Sequence, residues 1–319
     1  MLGQFIRKIL LTAITLLILS LISYVILLRD PLNDFADSNI VMRYVYYLTA
    51  LVQGDLGISY ISGEPLTAQI LAVFPATLSL CLSALLLALV LGLPLGLFAA
   101  QFQHTTFGKL LTTLGSFSFV FPVFWLAALL LYYASVNQWE IAAVGDLHPI
   151  YEIRPLTGFK LVDISLSESD YQLKMMQSAL HHLALPSLVL GIPATLEVMR
   201  LTQNRAIYVM KQSYMKVALT RGWSSFKIWR THVLGNTLPA LVPLIAHLFT
   251  VIFAFEILIE NIFSISGIGR WLINALMVQD YNAISAASMA IGIFVLSINL
   301  LSGLMTTLLD PAKKKDWYV

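Results

Sequence analysis

"ILLTAITLLILSLISYVILL", residues 9–28, is an uncharged run preceded by Arg7 and Lys8 and followed at once by "RDPLND". A helix rises 1.5 Å per residue, so twenty residues span about 30 Å, the thickness of a bilayer's hydrocarbon core. A cleavable secretory signal has a shorter apolar stretch, about 7–15 residues, and then a small-residue cleavage site. The run reads as a retained membrane helix. The rest of the chain agrees: of 319 residues, 58% are hydrophobic and 11% charged, where soluble domains carry roughly 25% charge. The class is integral membrane protein. The single cysteine, Cys81, lies inside another apolar run and offers no internal disulfide and no metal cluster.

Five further apolar runs are long enough to cross: 76–100, 110–134, 181–199, 237–259 and 283–309. The fourth of the six, 181–199, holds Pro186 and Pro193 and is expected to be broken or kinked. The charges then orient the chain. With the N-terminus in the cytoplasm, the inner segments hold Arg7, Lys8, Lys109, Arg200, Arg205, Lys211, Lys216, Arg221, Lys227, Arg230 and Lys313–Lys315, against only Asp310 and Asp316. The outer segments are mostly acidic, over 29–75 and 135–180. Lys and Arg concentrate on the cytoplasmic side of membrane proteins. Both termini are expected there.

The largest inner loop, 200–236, carries no acid. Charge alone is explained by topology or by anionic lipid. The apolar residues are not. Tyr214, Val217, Ala218 and Arg221 fall on one helical face. Gly222 interrupts, Ser224 or Ser225 can cap a second helix, and Trp223, Phe226, Trp229 and Val233 continue the pattern. The spacing predicts a helix, a glycine turn and a second amphipathic helix. Its indole rings belong either in the lipid interface or against a cytoplasmic partner.

"VALTRGWSSFKIWRTHVLGN" (217–236) resembles the EAA loop of permease subunits in binding-protein-dependent ABC importers. Val217 and Ala218 stand for its small pair and Gly222 for its glycine, while Lys216 replaces its acid and Gly235 its late proline. "GDLGISYISGEPL" (54–66), "FPATLSLCLSALLLALVLGLPLGLFAA" (74–100), "FVFPVFWLAALLL" (119–131), "HLALPSLVLGIPATLEVMRLTQNRAIYVMKQSYMKVA" (182–218), "ENIFSISGIGRWLINALMVQDYNAI" (260–284) and the closing "LLDP" (308–311) are similar to the peptide/nickel branch of that family. Ile265–Ser266 stands where the branch commonly has Trp–Pro. The resemblance implies a subunit of a bacterial inner-membrane importer of peptides. It implies a homologous second permease, two cytoplasmic ATPase subunits and a periplasmic substrate-binding protein as partners, and no nucleic acid. The loop would be the coupling helix, with Lys216, Val217, Ala218, Arg221, Gly222, Trp223 and Phe226 engaging an ATPase.

No cofactor is expected in this chain, and ATP and Mg²⁺ would be used by the partner ATPases. The one Gly–Lys pair, Gly108–Lys109, lacks the rest of a phosphate-binding loop. The adjacent His181 and His182 point about 100° apart on a helix and chelate a metal poorly. Three acids lie in or at the ends of spans: Glu197, Glu256 and Glu260. Intramembrane acids face a bundle interior or a cavity, so these are the candidate substrate-pathway residues. Glu256 is the foremost, and Glu260 has a structural or gating place near the outer mouth. Gly92 and Gly96 allow close helix approach.

The expected organisation is an all-α protein of six membrane helices with the EAA loop between helices 4 and 5. It divides into an N-terminal helix and periplasmic loop (1–75), a permease domain (76–311) and a cytoplasmic tail (312–319). A secondary transporter or channel is the first rival, and an internal repeat of spans would favour it; none stands out between 1–134 and 181–319. An intramembrane enzyme is the second. Dipeptides, longer or antimicrobial peptides, nickel chelates and polyamines all remain open as cargo.

Overall fold

The computed structural model describes residues 2–30, 39–141 and 144–309; the expected tail 312–319 lies outside them. Every regular element among those residues is helical, apart from one isolated antiparallel bridge between Ile58 and Pro65. In order they are α1 (Leu2–Leu27), α2 (Ile40–Val52), α3 (Leu66–Gln101), α4 (Thr106–Gly115), α5 (Val123–Val136) and α6 (Lys160–Ser165). Then follow α7 (Gln172–Met210), α8 (Ser213–Thr220), α9 (Ser225–Ile228), a π-helical stretch Trp229–Leu234, α10 (Gly235–Phe263), α11 (Ile268–Met277) and α12 (Tyr281–Leu309). Five stretches are long and apolar enough to cross a membrane: α1, α3, α7, α12 and the continuous run Ser225–Phe263 that ends with α10.

The packing of α1 is inverted relative to a soluble bundle. On α1, Leu10, Leu17 and Ile22 are about half exposed while Ser20 and Ser23 are buried. In lipid a leucine gains nothing by turning inward, and the polar groups need partners more than the apolar ones do. Ser23 finds the Ser285 hydroxyl of α12 at 2.6 Å. Tyr47 of α2 donates to Ser23 at 2.8 Å, and Tyr44 bonds Ser20 at 2.8 Å.

Two of the expected spans differ from the reading of the sequence. The run 110–134 is two helices, α4 and α5, separated by 116–122. Pro122 caps α5; it has no N–H to give, its ring would strike the carbonyl four residues back, and it biases Phe121 away from helical geometry. Phe119 takes a left-handed backbone, φ 53°. Conversely, of the break or kink expected at Pro186 and Pro193 the break is absent, and α7 is one continuous helix through both. A proline inside a membrane helix is tolerated where neighbouring side chains and helices satisfy the freed carbonyls.

The chain forms two compact units. One comprises Met1–Ser79, Ala143–Leu183 and Glu256–Leu300, the other Leu80–Ala142, Ala184–Phe255 and Leu301–Val319. In the second, α3 and α7 approach at backbone distance: a Cβ on Gly92 would lie 2.7 Å from that of Val198, and one on Gly96 2.5 Å from the Met199 carbonyl. In the first, α6 closes a loop over the Asp163 carboxylate, which accepts from the Thr157 backbone N–H (2.8 Å), the Thr157 hydroxyl (2.7 Å) and the Gly158 N–H (3.1 Å).

Candidate functional site

The basic loop is ordered as the spacing predicts. α8 ends at Thr220, Gly222 turns with φ 72°, and the Ser224 hydroxyl caps α9 by accepting from the Lys227 N–H at 3.3 Å. A left-handed backbone is cheap for glycine and costly for a residue with a Cβ. The buried face is not the expected one. Met215 and Ala218 turn inward and pack with Ala100, Ala206, Ile228 and Val233, backed by Trp223 and Trp229. Ala218 is only 4% exposed, so it supports the loop from behind rather than forming its outer face. Trp223 is also used internally, between the His232 ring (5.3 Å, 11° between planes) and the Lys227 ammonium 4.1 Å from its centroid. Lys216, Val217, Arg221, Gly222 and Phe226 remain exposed, Phe226 by 75%. The result is a basic knuckle with Tyr214, Val217 and Phe226 at its surface.

Met215 lies outside the helical face of Tyr214, Val217, Ala218 and Arg221, of which Ala218 alone is buried and the other three are exposed. The only sequence signal was that Met215 and Ala218 are themselves three apart.

The three acids have separate surroundings. Glu260, fully buried at the end of α10, accepts from the Thr77 hydroxyl and from the Arg270 N–H at 2.9 Å. Thr77 in turn accepts from the Ile268 N–H at 2.9 Å. Gly267 caps α11 and brings no side chain, so Glu260 and Thr77 satisfy the open N–H groups that a helix start leaves. The two glycines of "SISGIG" (264–269) leave no room for a side chain: a Cβ on Gly267 would fall on the Glu260 carboxylate, and one on Gly269 would come 2.6 Å from the Ile257 Cα. Glu256 is also wholly buried and faces the Glu260 carboxylate one turn on. It presents no surface to a passing substrate in this conformation.

Glu197 does open into a cavity. Its carboxylate accepts from the Ser118 hydroxyl at 2.6 Å and from Arg200 twice, Nε at 3.0 Å and a terminal nitrogen at 2.6 Å. The cavity holds about 310 Å³ and is lined further by Phe119, Leu201, Leu244, His247, Leu248 and Val251. Ser118 and Phe119 reach it because the chain breaks between α4 and α5. Ser118 and His247 carried no mark in the sequence, since each lies far along the chain from Glu197. A larger apolar cleft of about 600 Å³ lies between the end of α3 and the α9–α10 segment, lined by Leu93, Leu97, Phe98, Phe102, Phe226 and Trp229 among others. His182 is buried, with Nδ1 2.8 Å from the Ser178 carbonyl. Among the described residues no group of three His, Cys, Asp or Glu side chains could hold a metal ion.

Comparison with known proteins places this arrangement. The family described as "Binding-protein-dependent transport system inner membrane component" matches residues 92–315. The Peptide transport system permease protein SapB of Haemophilus influenzae is 46% identical over 319 residues, 100% of this chain and 99% of that protein. The Putrescine export system permease protein SapB of Escherichia coli K12 is 37% identical over 312 residues, 98% and 97% of the two chains. The Dipeptide transport system permease protein DppB of the same strain is 30% identical over 284 residues, 86% and 81%. On the length and strength of these matches, the chain belongs to the family of inner membrane components of binding-protein-dependent transport systems.

Proposed function

We propose that this chain is one permease subunit of an ATP-driven importer that carries peptides across a bacterial inner membrane. It pairs with a second, homologous permease, receives cargo from a periplasmic binding protein and is driven by two cytoplasmic ATPases that use ATP and Mg²⁺. α4 and α5 together make the third of six passes, α7 the fourth and α10 the fifth, so that the α8–α9 knuckle is the coupling loop. Both termini are cytoplasmic. Residues 1–75 form an N-terminal helix and periplasmic loop, 76–311 the permease domain and 312–319 a cytoplasmic tail. The observation that carries the reading is the knuckle: Lys216, Val217, Arg221 and Phe226 exposed on or just past α8 and on the first turn of the run that continues into α10, backed by Met215, Ala218, Ile228 and Val233. A basic surface with an apolar centre is what an acidic groove would seat, the charges orienting it and Val217 and Phe226 burying area. The peptide cargo is supported by relatives named as peptide and dipeptide permeases.

Replacing Gly222 by Val tests it. The β-branched side chain is strained at φ 72°, so the knuckle is displaced while membrane insertion is kept. Transport should fall at least tenfold, and ATP hydrolysis should no longer respond to loaded binding protein. Lys211→Gln, outside the knuckle, should change little. A cysteine at Val217 should cross-link to the ATPase subunit. Normal transport by Gly222→Val with no cross-link would leave the loop a charged anchor. A second reading, diamine export, is favoured by the relative named as a putrescine export permease. Vesicles measured with a labelled tripeptide and with labelled putrescine separate the two.

A further inference from the structure

We propose that the cavity at Glu197, Arg200 and His247 is a cargo station that takes the carboxylate end of a short peptide. The inference rests on the peptide reading above and adds to it a place and a polarity of binding.

The charge arrangement decides which end is held. Glu197 is already engaged by its own chain, with both oxygens on Arg200 and one also on Ser118. It has little left to offer an incoming ammonium. Arg200 spends its Nε and one terminal nitrogen on Glu197, and its side chain is 45% exposed. A guanidinium has five N–H donors in a planar fork that matches a carboxylate. Arg200, with donors to spare, and His247 both line the same cavity. Phe119, Leu201, Leu244, Leu248 and Val251 supply apolar wall for a peptide side chain. About 310 Å³ falls at the lower end of the range for small-ligand sites, enough for two or three small residues. A diamine would need acceptors, and the cavity's one acid already accepts three hydrogen bonds from its own chain, whereas a carboxylate meets the unspent donors of Arg200. The site therefore selects an anionic group.

The test uses the complete transporter in membrane vesicles with its binding protein. The probe is the tripeptide alanyl-photoleucyl-alanine with a free carboxylate. Ultraviolet cross-linking and peptide mapping should place label on Leu201, Leu244, Leu248 or Val251. Arg200→Gln should lower that label at least fivefold while the binding protein is labelled as before. Excess trialanine should abolish it, and excess putrescine should not. Should Arg200→Gln fail to insert, His247→Gln, which leaves the Glu197–Arg200 pair in place, reports on the same subsite. Label absent from the cavity while the tripeptide is transported, undiminished label in the variants, or clearance by putrescine would each overturn the station and leave peptide import standing. No transport of the tripeptide by the unmodified protein would overturn both.

Discussion

At the scale of single residues, Glu260 is placed by a constraint that runs through its neighbours. Its carboxylate serves the start of α11 only because Gly267 has no side chain. Gly267→Ala must push the acid away and break its hydrogen bonds to the Thr77 hydroxyl and the Arg270 N–H, each contributing about 0.5–1.5 kcal/mol. Purified Gly267→Ala should melt several degrees lower than the parent by thermal size-exclusion chromatography. Gly235→Ala, where nothing lies within 4 Å of the added carbon, should melt with the parent; equal melting of all three would remove Glu260 from this role. Asp163 gives a pH-dependent counterpart outside the membrane-spanning helices. Burial pushes its carboxyl up, but the Thr157 hydroxyl and the Thr157 and Gly158 N–H groups outweigh that and hold it below its ordinary value of 3.8. A depressed pKa means the stabilisation is complete above the unfolded value and is lost as pH falls through the folded one. Amide protection at Thr157 and Gly158 should therefore be flat from about pH 5 to 8 and collapse only below about pH 4. In Asp163→Asn it should be reduced already at neutral pH. Protection lost in the parent near pH 6 would refute the assignment.

At the scale of elements, hydropathy made most of the architecture legible. The runs 9–28, 76–100, 237–259 and 283–309 became α1, α3, α10 and α12, the helices continuing past their apolar stretches by up to about ten residues. Hydropathy averages over a window, and so it cannot see a break whose flanks are both apolar. Pro122 signalled one, and the run 110–134 was nonetheless read as continuous. Pro186 and Pro193 signalled a break or a kink, and α7 stays one helix through both. The difference lies in surroundings that no local rule contains. At 116–122 the freed chain has a use, because Ser118 reaches Glu197. Pairings across long separations were likewise illegible: Thr77 meets Glu260 at a distance of 183 residues along the chain. The knuckle was readable as helix–turn–helix because Gly222 and Ser224 act locally. Which face it buried depended on Ala100 and Ala206 in other helices, and there periodicity found Ala218 but not Met215.

At the scale of the whole molecule, the reading turns on which side of the membrane the knuckle faces. The proposed ATPase subunits would be cytoplasmic, so an external knuckle would leave Val217 and Phe226 without that partner. The basic residues supply the argument: seven of them, from Arg200 to Arg230, lie in 200–236 with no acid, whereas 135–180 mixes Arg154, Lys160 and Lys174 with six acids. Lys and Arg near span ends set orientation. Single cysteines test this directly. Cys81 is the only native thiol and is wholly buried, so Cys81→Ala gives a clean background. Cysteines at Ile150 (75% exposed) and Tyr171 (60%) should react with a membrane-impermeant maleimide in cells whose outer membrane alone is permeabilised. Those at Val217 (48%) and Phe226 (75%) should react only after the inner membrane is opened. The similar exposure of Ile150 and Phe226 makes the comparison one of sidedness and not of burial. Reaction at Phe226 in closed cells would reverse the orientation, place the coupling surface where no ATPase can reach it, and dissolve the importer mechanism while leaving the family membership intact.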